Sequence, residues 1–155
     1  MFLFVMHEEC NLEVKMSCNV ENKKIELSVY NGDFAKYDEE TKKKFLEDFV
    51  ENKVYRNGMK VSAGSTEEEI LKCYEHITSE GCIDSKARIP DLRRYESIYM
   101  LKDILSSKDC LECKNYLTWE KESHGLKEMI FCPDSGYYIV LLKRKFVYKI
   151  VTAFN

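Results

Sequence analysis

Apolar and polar residues alternate along the start of this chain, and the alternation predicts β-strands. Three runs rich in apolar residues are separated by polar or turn-forming residues: Phe2–Met6, Leu12–Ser17 and Lys24–Tyr30. Every other residue of the second run is apolar, which is the pattern of a strand with one buried and one solvated face. Asn31-Gly32-Asp33 ends the third run. We expect these strands to form an antiparallel meander.

Helical spacing replaces the alternation in the middle of the chain. A first helix is predicted over residues 38–52, and a second over residues 65–81, where Ser65-Thr66 precedes three glutamates. A Ser/Thr cap followed by acidic residues stabilises the positive end of a helix. A third helix is predicted from Pro90-Asp91 to about Leu105, and a short fourth one around Cys110–Leu117. Residues 54–64 are expected to be an irregular or extended connection.

The last third of the chain returns to strand-forming runs. Lys127–Cys132 is followed by Pro133-Asp134-Ser135-Gly136, which suits a type I turn, and then by runs over residues 137–142 and 146–154. The expected fold class is α+β. It combines N-terminal antiparallel strands, central helices and a C-terminal antiparallel hairpin or three-stranded sheet.

Length and charge place limits on the kind of protein. A chain of 155 residues with 45% hydrophobic and 33% charged residues is typical of one globular domain. The net charge of −3 is unevenly distributed: residues 1–83 carry 11 basic and 17 acidic residues, and residues 84–155 carry 13 and 10. A single domain over 1–155 is expected, with a possible subdivision into 1–83 and 84–155. A uniformly basic nucleic-acid binder is excluded, but a basic surface on the second half is allowed.

Location and cofactors follow from the apolar runs and the cysteines. No apolar run approaches the roughly 20 residues that cross a bilayer, and the apolar start lacks a basic leader, so we expect a cytoplasmic protein without membrane contact. The seven cysteines are scattered and odd in number. Cys110 and Cys113 have metal-type spacing, and Cys132 and His124 could complete a zinc site. A single CxxC favours free thiols instead, with no metal and no cofactor.

Three arginines near the start of the third predicted helix are the first candidates for chemistry. Arg88, Arg93 and Arg94 would concentrate bidentate phosphate donors close to a positive helix terminus. The alternative is a pair of surface arginines bonded to Asp91 and Glu96.

Basic residues also occur between the last two predicted strands. In Lys143-Arg144-Lys145, one of the two lysines must share the inward face of its strand and could reach a groove, although charged turns are common. We expect Lys143 or Lys145 to share a concave surface with the arginines.

Other candidates carry hydroxyl, imidazole or aromatic groups. Thr152 could hold a scissile phosphate, or it could simply favour the strand. His124 lies in a predicted loop, where a general base is often presented. Trp119, Tyr137 and Tyr138 could stack on bases, with core packing as the alternative. No P-loop, dinucleotide fingerprint or common hydrolase motif is present.

The C-terminal half, about residues 86–155, resembles the barnase–EndoU–colicin–RelE-like ribonuclease superfamily, and most of all its phage- and mobile-element-associated branch. The resemblance lies in a basic helix start at Arg93–Ile98 that continues to Ile104-Leu105, and in the Thr118-Trp119 connection. It also includes the strands Tyr138–Leu142 and Tyr148–Phe154, of which the second ends in Thr-Ala-aromatic.

The resemblance implies an endoribonuclease that needs no metal, of toxin or phage-defence type. It implies catalytic roles for Arg93 or Arg94 and for Thr152, with Lys143 less well matched. His124 does not match a family position, but its predicted loop makes it the candidate to move protons, and the residues themselves suggest Arg88, Trp119 and Lys145 as RNA-binding groups. The alternative is a non-catalytic binding protein, such as an immunity protein or phage-encoded inhibitor. A protein partner such as an antitoxin is compatible with both. A third hypothesis is a zinc-stabilised interaction module built on the CxxC.

Overall fold

A computed structural model describes Cys18, residues 20–81 and residues 88–155. The strands expected at Phe2–Met6 and Leu12–Ser17 lie outside the described residues. The strand expected at Lys24–Tyr30 is wrong, because Leu27–Tyr30 forms a 3₁₀ turn that ends at Asn31 in the left-handed conformation, with φ of 55°. The Asn31 N–H donates back to the Ser28 carbonyl, so this segment satisfies its backbone locally.

Four helices follow, three of them near the places that apolar spacing predicts; the short fourth helix, expected around Cys110–Leu117, ends at Glu112, and Leu117 begins a strand. The helices are α1 (Phe34–Leu46), which continues as a π-helical turn (Glu47–Glu51), α2 (Glu67–Thr78), α3 (Leu92–Ser106) and α4 (Lys108–Glu112). The Asp33 carboxylate accepts from the Lys36 N–H, so α1 begins four residues before Asp38. Thr66 and Asp91 cap α2 and α3 in the same way. None of the described helices has both the length and the apolarity to cross a bilayer.

The strands form a six-stranded mixed sheet and a separate two-stranded pair. The strands are β1 (Val54–Arg56), β2 (Met59–Ser62), β3 (Ser79–Glu80), β4 (Ile89–Pro90), β5 (Leu117–Glu122), β6 (Leu126–Cys132), β7 (Tyr137–Lys143) and β8 (Val147–Phe154). The large sheet has the order β1-β2-β8-β7-β6-β5, and only the β2–β8 pair is parallel. The expected α+β class is confirmed, but the sheet is larger than the predicted three strands.

The prediction of an irregular or extended connection over residues 54–64 is wrong, because this segment forms the β1–β2 hairpin. Asn57 and Gly58 both have positive φ, as a two-residue hairpin turn of the mirror-image type requires. β2 then pairs with β8, so the acidic first half and the basic second half share one sheet. The compositional change near residue 83 falls within residues 82–87, outside the described part of the chain.

The hydrophobic core lies between the helices and one face of the large sheet. Buried side chains of α1, α2 and α3 form one cluster with alternate residues of the strands, among them Val61, Ile139, Leu141, Ile150 and Ala153. We call this the helix-side face. Strand residues of opposite parity, such as Tyr138 and Phe154, do not belong to that cluster and form the outer face.

Candidate active site

An open cavity of about 290 Å³ lies where β8 extends beyond its neighbour β2. β2 pairs with β8 only as far as Lys149, so in the described part of the chain no strand pairs with the last residues of β8 on that side. The end of α2 and the start of α3 border this edge, and Ser97 Oγ in α3 donates to Asn155 Oδ1 over 2.6 Å. The cavity is lined by His76, Glu80, Gly81, Arg88, Arg94, Thr152 and Phe154.

Two arginines converge on a single backbone carbonyl at this cavity. Arg88 Nη2 and Arg94 Nη1 both donate to the Ser79 carbonyl oxygen, each over 2.8 Å. Arg88 also donates through Nε to Ser79 Oγ over 2.8 Å and through Nη2 to the His76 carbonyl over 3.2 Å. These contacts hold both guanidinium groups in place, which reduces the entropy lost when a ligand binds them.

Among the described residues, the charge of the two arginines is only partly balanced. Arg94 lies 3.6 Å from Asp91 and 3.5 Å from the exposed Glu80. Within the described part of the chain, Arg88 makes no ion pair, and its Nη1 group donates no hydrogen bond. The cavity therefore offers an oriented cationic donor to an anion such as phosphate.

His76, in the last turn of α2, supplies an imidazole beside the two guanidinium groups. Partial burial lowers the pKa of His76, and the positive charges of Arg88 and Arg94 lower it further. An imidazole with a pKa below its ordinary value is neutral near pH 7, so His76 is able to accept a proton there.

Thr152 reaches the cavity from β8 next to an irregularity in the strand. Thr152 lies opposite Val140 on β7, while Ile150 lies opposite Leu141, so Val151 is the extra residue of a β-bulge. A bulge turns the residues that follow it relative to the rest of the strand. Phe154 has the same orientation as Thr152, and Arg94 Cζ lies 5.7 Å from the centroid of its ring.

Three of the residues selected from the sequence therefore meet in one cavity: Arg88, Arg94 and Thr152. Arg93 does not line it. Its side chain is exposed, and its backbone N–H donates to the capping Asp91 carboxylate.

The two lysines expected beside the arginines lie elsewhere. Lys143 alternates onto the helix-side face, where its Nζ donates to Glu120 over 3.3 Å. Lys145 lies in the exposed β7–β8 turn, 5.2 Å from the Phe146 ring centroid. Thr152 points to the opposite face of the sheet. It lies four residues along β8 from Tyr148, which pairs with Lys143, and four strand residues span roughly 13 Å. The structure does not bring either lysine to the cavity.

His124 is likewise outside the cavity. It occupies the exposed β5–β6 turn with a φ of 52°, and the histidine that lines the cavity is His76. Sequence reasoning missed His76, because its place near the end of a helix gives no sign that two arginines from a later segment will approach it. Trp119 and Tyr138 lie on the outer face, whereas Tyr137 is fully buried on the helix-side face and unavailable for stacking.

The cysteines and histidines do not form a metal site in the described residues, where no group of three or more potential ligands is arranged to hold an ion. Burial raises the pKa of the Cys110 thiol to about 12, with smaller contributions from Cys18, Cys132 and Cys113. A cysteine binds zinc as the thiolate. The expectation of no zinc remains a prediction.

Comparisons with known proteins give no relative for this chain. No protein-family model, curated protein or solved structure matches it. Its function is therefore inferred from the chemistry of the cavity.

Proposed function

We propose that this protein is an endoribonuclease that cleaves RNA at the cavity without a metal ion. The observation that carries the proposal is the convergence of Arg88, Arg94 and Thr152 around His76, whose pKa is lowered. This set combines a proton acceptor, cationic phosphate donors and a hydroxyl. The resemblance of the C-terminal half to metal-independent ribonucleases supports the same choice.

In the proposed reaction, the ribose 2′-oxygen attacks the adjacent phosphorus and the bond from phosphorus to the 5′-oxygen breaks. His76 accepts the 2′-hydroxyl proton, and water at the open mouth of the cavity protonates the leaving 5′-oxygen. Arg88 and Arg94 stabilise the negative charge that develops on the phosphate oxygens. Thr152 Oγ donates to one of these oxygens. The products are a 2′,3′-cyclic phosphate and a 5′-hydroxyl end.

A second candidate function is RNA binding without cleavage. It is favoured by the lining of the cavity in the described part of the chain, where Glu80 is exposed and His76 is the one imidazole, so that no second imidazole is placed to protonate the leaving group. The anchored arginines would then bind a phosphate and leave it intact.

Incubation of the purified protein with a mixed-sequence RNA in EDTA tests the first proposal. Cleavage should persist in EDTA and leave cyclic phosphate ends. His76→Ala should lower the rate by roughly 10²–10⁴, the usual contribution of general base catalysis. Arg94→Ala should lower it by about 10², and the nearly isosteric Thr152→Val should also reduce it.

Two control variants sharpen the result. Arg144→Ala removes an exposed arginine in the β7–β8 turn and should not change the rate. His124→Ala should also be neutral if His76 is the base. RNA that remains intact with the wild-type protein, but is bound by it, would favour the second candidate function.

A further inference from the structure

The two faces of the large sheet differ in charge as well as in burial. Strand alternation places all three acidic residues of its six strands, Glu120, Glu122 and Glu128, on the helix-side face. The outer face has no acidic residue at any strand position. It carries four lysines, at Lys60, Lys121, Lys127 and Lys149.

These four lysines lack a counter-charge among the residues that the structure describes. None of them makes an ion pair with another described residue. Lys121 and Lys127 lie directly opposite each other on β5 and β6, an arrangement of like charges that destabilises a strand pair. An anionic ligand would relieve this repulsion.

A row of aromatic side chains crosses the same face. The centroid of the Trp119 ring lies 5.8 Å from that of Tyr138, which in turn lies 6.3 Å from Phe131 and 5.0 Å from Phe154. The row spans β5 to β8, and Trp119 at its outer end is 42% exposed. All described helices that contribute to the core lie on the other face of the sheet.

The aromatic row ends at the cavity. Phe154 is the last ring of the row and also lines the cavity, where it contacts the Arg94 guanidinium. A ligand lying along the row would therefore reach Arg88, Arg94 and Thr152 without leaving the protein surface.

We propose that the outer face binds single-stranded RNA, whose bases stack on the row from Trp119 to Phe154 and whose backbone contacts the lysines. Aromatic rings on an open sheet flanked by cations suit unpaired bases, since paired bases do not present their faces. The proposal deepens the proposed function: it rests on the cavity as the place where one phosphate of the bound strand is cleaved.

Fluorescence anisotropy with a labelled, mixed-sequence 2′-O-methyl RNA tests the binding step alone, because this RNA lacks the 2′-hydroxyl that attacks phosphorus. Trp119→Ala should raise Kd at least five-fold, the lower end of the range for loss of one stacking contact. Phe146→Ala, which removes a 77% exposed ring from the β7–β8 turn, is the matched control and should leave Kd unchanged. Circular dichroism checks that both variants fold.

The lysines are tested by the salt dependence of the same binding. Lys121→Ala combined with Lys127→Ala should reduce the slope of log Kd against log salt by about 1.4, since each phosphate contact with a single strand contributes roughly 0.7. The same sequence as a double-stranded RNA should bind at least ten-fold more weakly. Single-stranded DNA of that sequence shows whether the ribose contributes.

Different outcomes separate this proposal from the proposed function. If the wild-type protein binds the RNA through Trp119 but never cuts natural RNA, the outer face is confirmed and the ribonuclease proposal fails. If RNA is cut but Trp119→Ala and the double lysine variant bind RNA like the wild type, the proposal that the outer face binds RNA is overturned. Absence of RNA binding, or equal affinity for the duplex, overturns it too, and would direct attention to an acidic protein partner.

Discussion

The guanidinium of Arg94 lies over the ring of Phe154, with 5.7 Å between Cζ and the ring centroid. This contact joins α3 to the last residues of β8 and adds a cation–π interaction to the packing of both side chains. It also joins two surfaces with different chemistry, the cationic cavity and the aromatic row of the outer face.

The pKa of His76 should be measurable by NMR titration of its imidazole resonances. We expect a value below the ordinary 6.5, because burial and the charges of Arg88 and Arg94 disfavour the protonated form. Arg88→Gln removes one of these charges and should raise the pKa. Arg144→Gln, a change in the exposed turn, is the control. A His76 pKa above 6.5 in the wild-type protein would contradict the expected effect of burial and of the two arginines on this imidazole.

The buried Arg56–Glu128 pair should contribute strongly to stability. Arg56 donates to Glu128 Oε1 through Nε over 2.9 Å and through Nη2 over 2.5 Å. Arg56→Met leaves a buried carboxylate unpaired and should lower the free energy of unfolding by about 3–5 kcal/mol, measured by urea denaturation. Adding Glu128→Leu to this variant should recover much of the loss. A double variant no more stable than the single one would refute this account.

The same pair should make stability depend on pH. Burial alone would raise the pKa of Glu128, but the hydrogen bonds and charge of Arg56 outweigh it and hold the pKa below its ordinary value of 4.5. A carboxyl with a lowered folded pKa stabilises the protein above its unfolded pKa, and this stabilisation is lost as the pH falls through the folded value. The difference in unfolding free energy between the wild type and Glu128→Gln should therefore shrink below pH 4.5.

Asp38 should stabilise the packing of α1 against α2 and α3. Its Oδ1 accepts hydrogen bonds from the hydroxyls of Tyr74 and Tyr95, each over 2.9 Å. Asp38→Ala deprives the Tyr95 hydroxyl of this acceptor, while Tyr74 keeps the backbone carbonyl of residue 38 at 3.3 Å. The loss should be about 1–3 kcal/mol by urea denaturation. Asp38→Asn retains an acceptor and should lose less. Equal losses would show that the acceptor is unimportant.

Two cysteines should resist alkylation in the folded protein. Burial raises the pKa of Cys73 and of Cys110 to about 12, so almost no thiolate is present at pH 8. Labelling with iodoacetamide, followed by mass spectrometry of the peptides, should show slow modification at both positions. The same experiment in urea should label them fully. Rapid labelling of Cys110 in the native protein would indicate an accessible thiolate.

Elements with strong local signals could be predicted from the sequence. The caps Thr66 and Asp91, and the apolar spacing that follows each of them, locate α2 and α3 because a cap and a stripe act within one helix. The strands β6, β7 and β8 are predictable from another local signal, since each is a run of apolar and β-branched residues bounded by turn residues. The prediction of a strand at Lys24–Tyr30 is wrong, since Leu27 packs on the core from a 3₁₀ turn, Ile25 packs on it from the segment before that turn, and Val29 is 65% exposed.

The sequence by itself determined the chemistry available to this protein, because Arg88, Arg94 and Thr152 are distinguished by side-chain type and local context. Only the tertiary structure decided which of these groups lie in one cavity. The parallel pairing of β2 with β8 stops at Lys149, and among the described residues the cavity forms beside the part of β8 beyond it. His76 lines the cavity because helix packing brings the end of α2 next to Arg88 and Arg94. Lys143 lies outside it because the alternation of the strand places its side chain on the other face of the sheet. Neither effect has a local signal in the sequence.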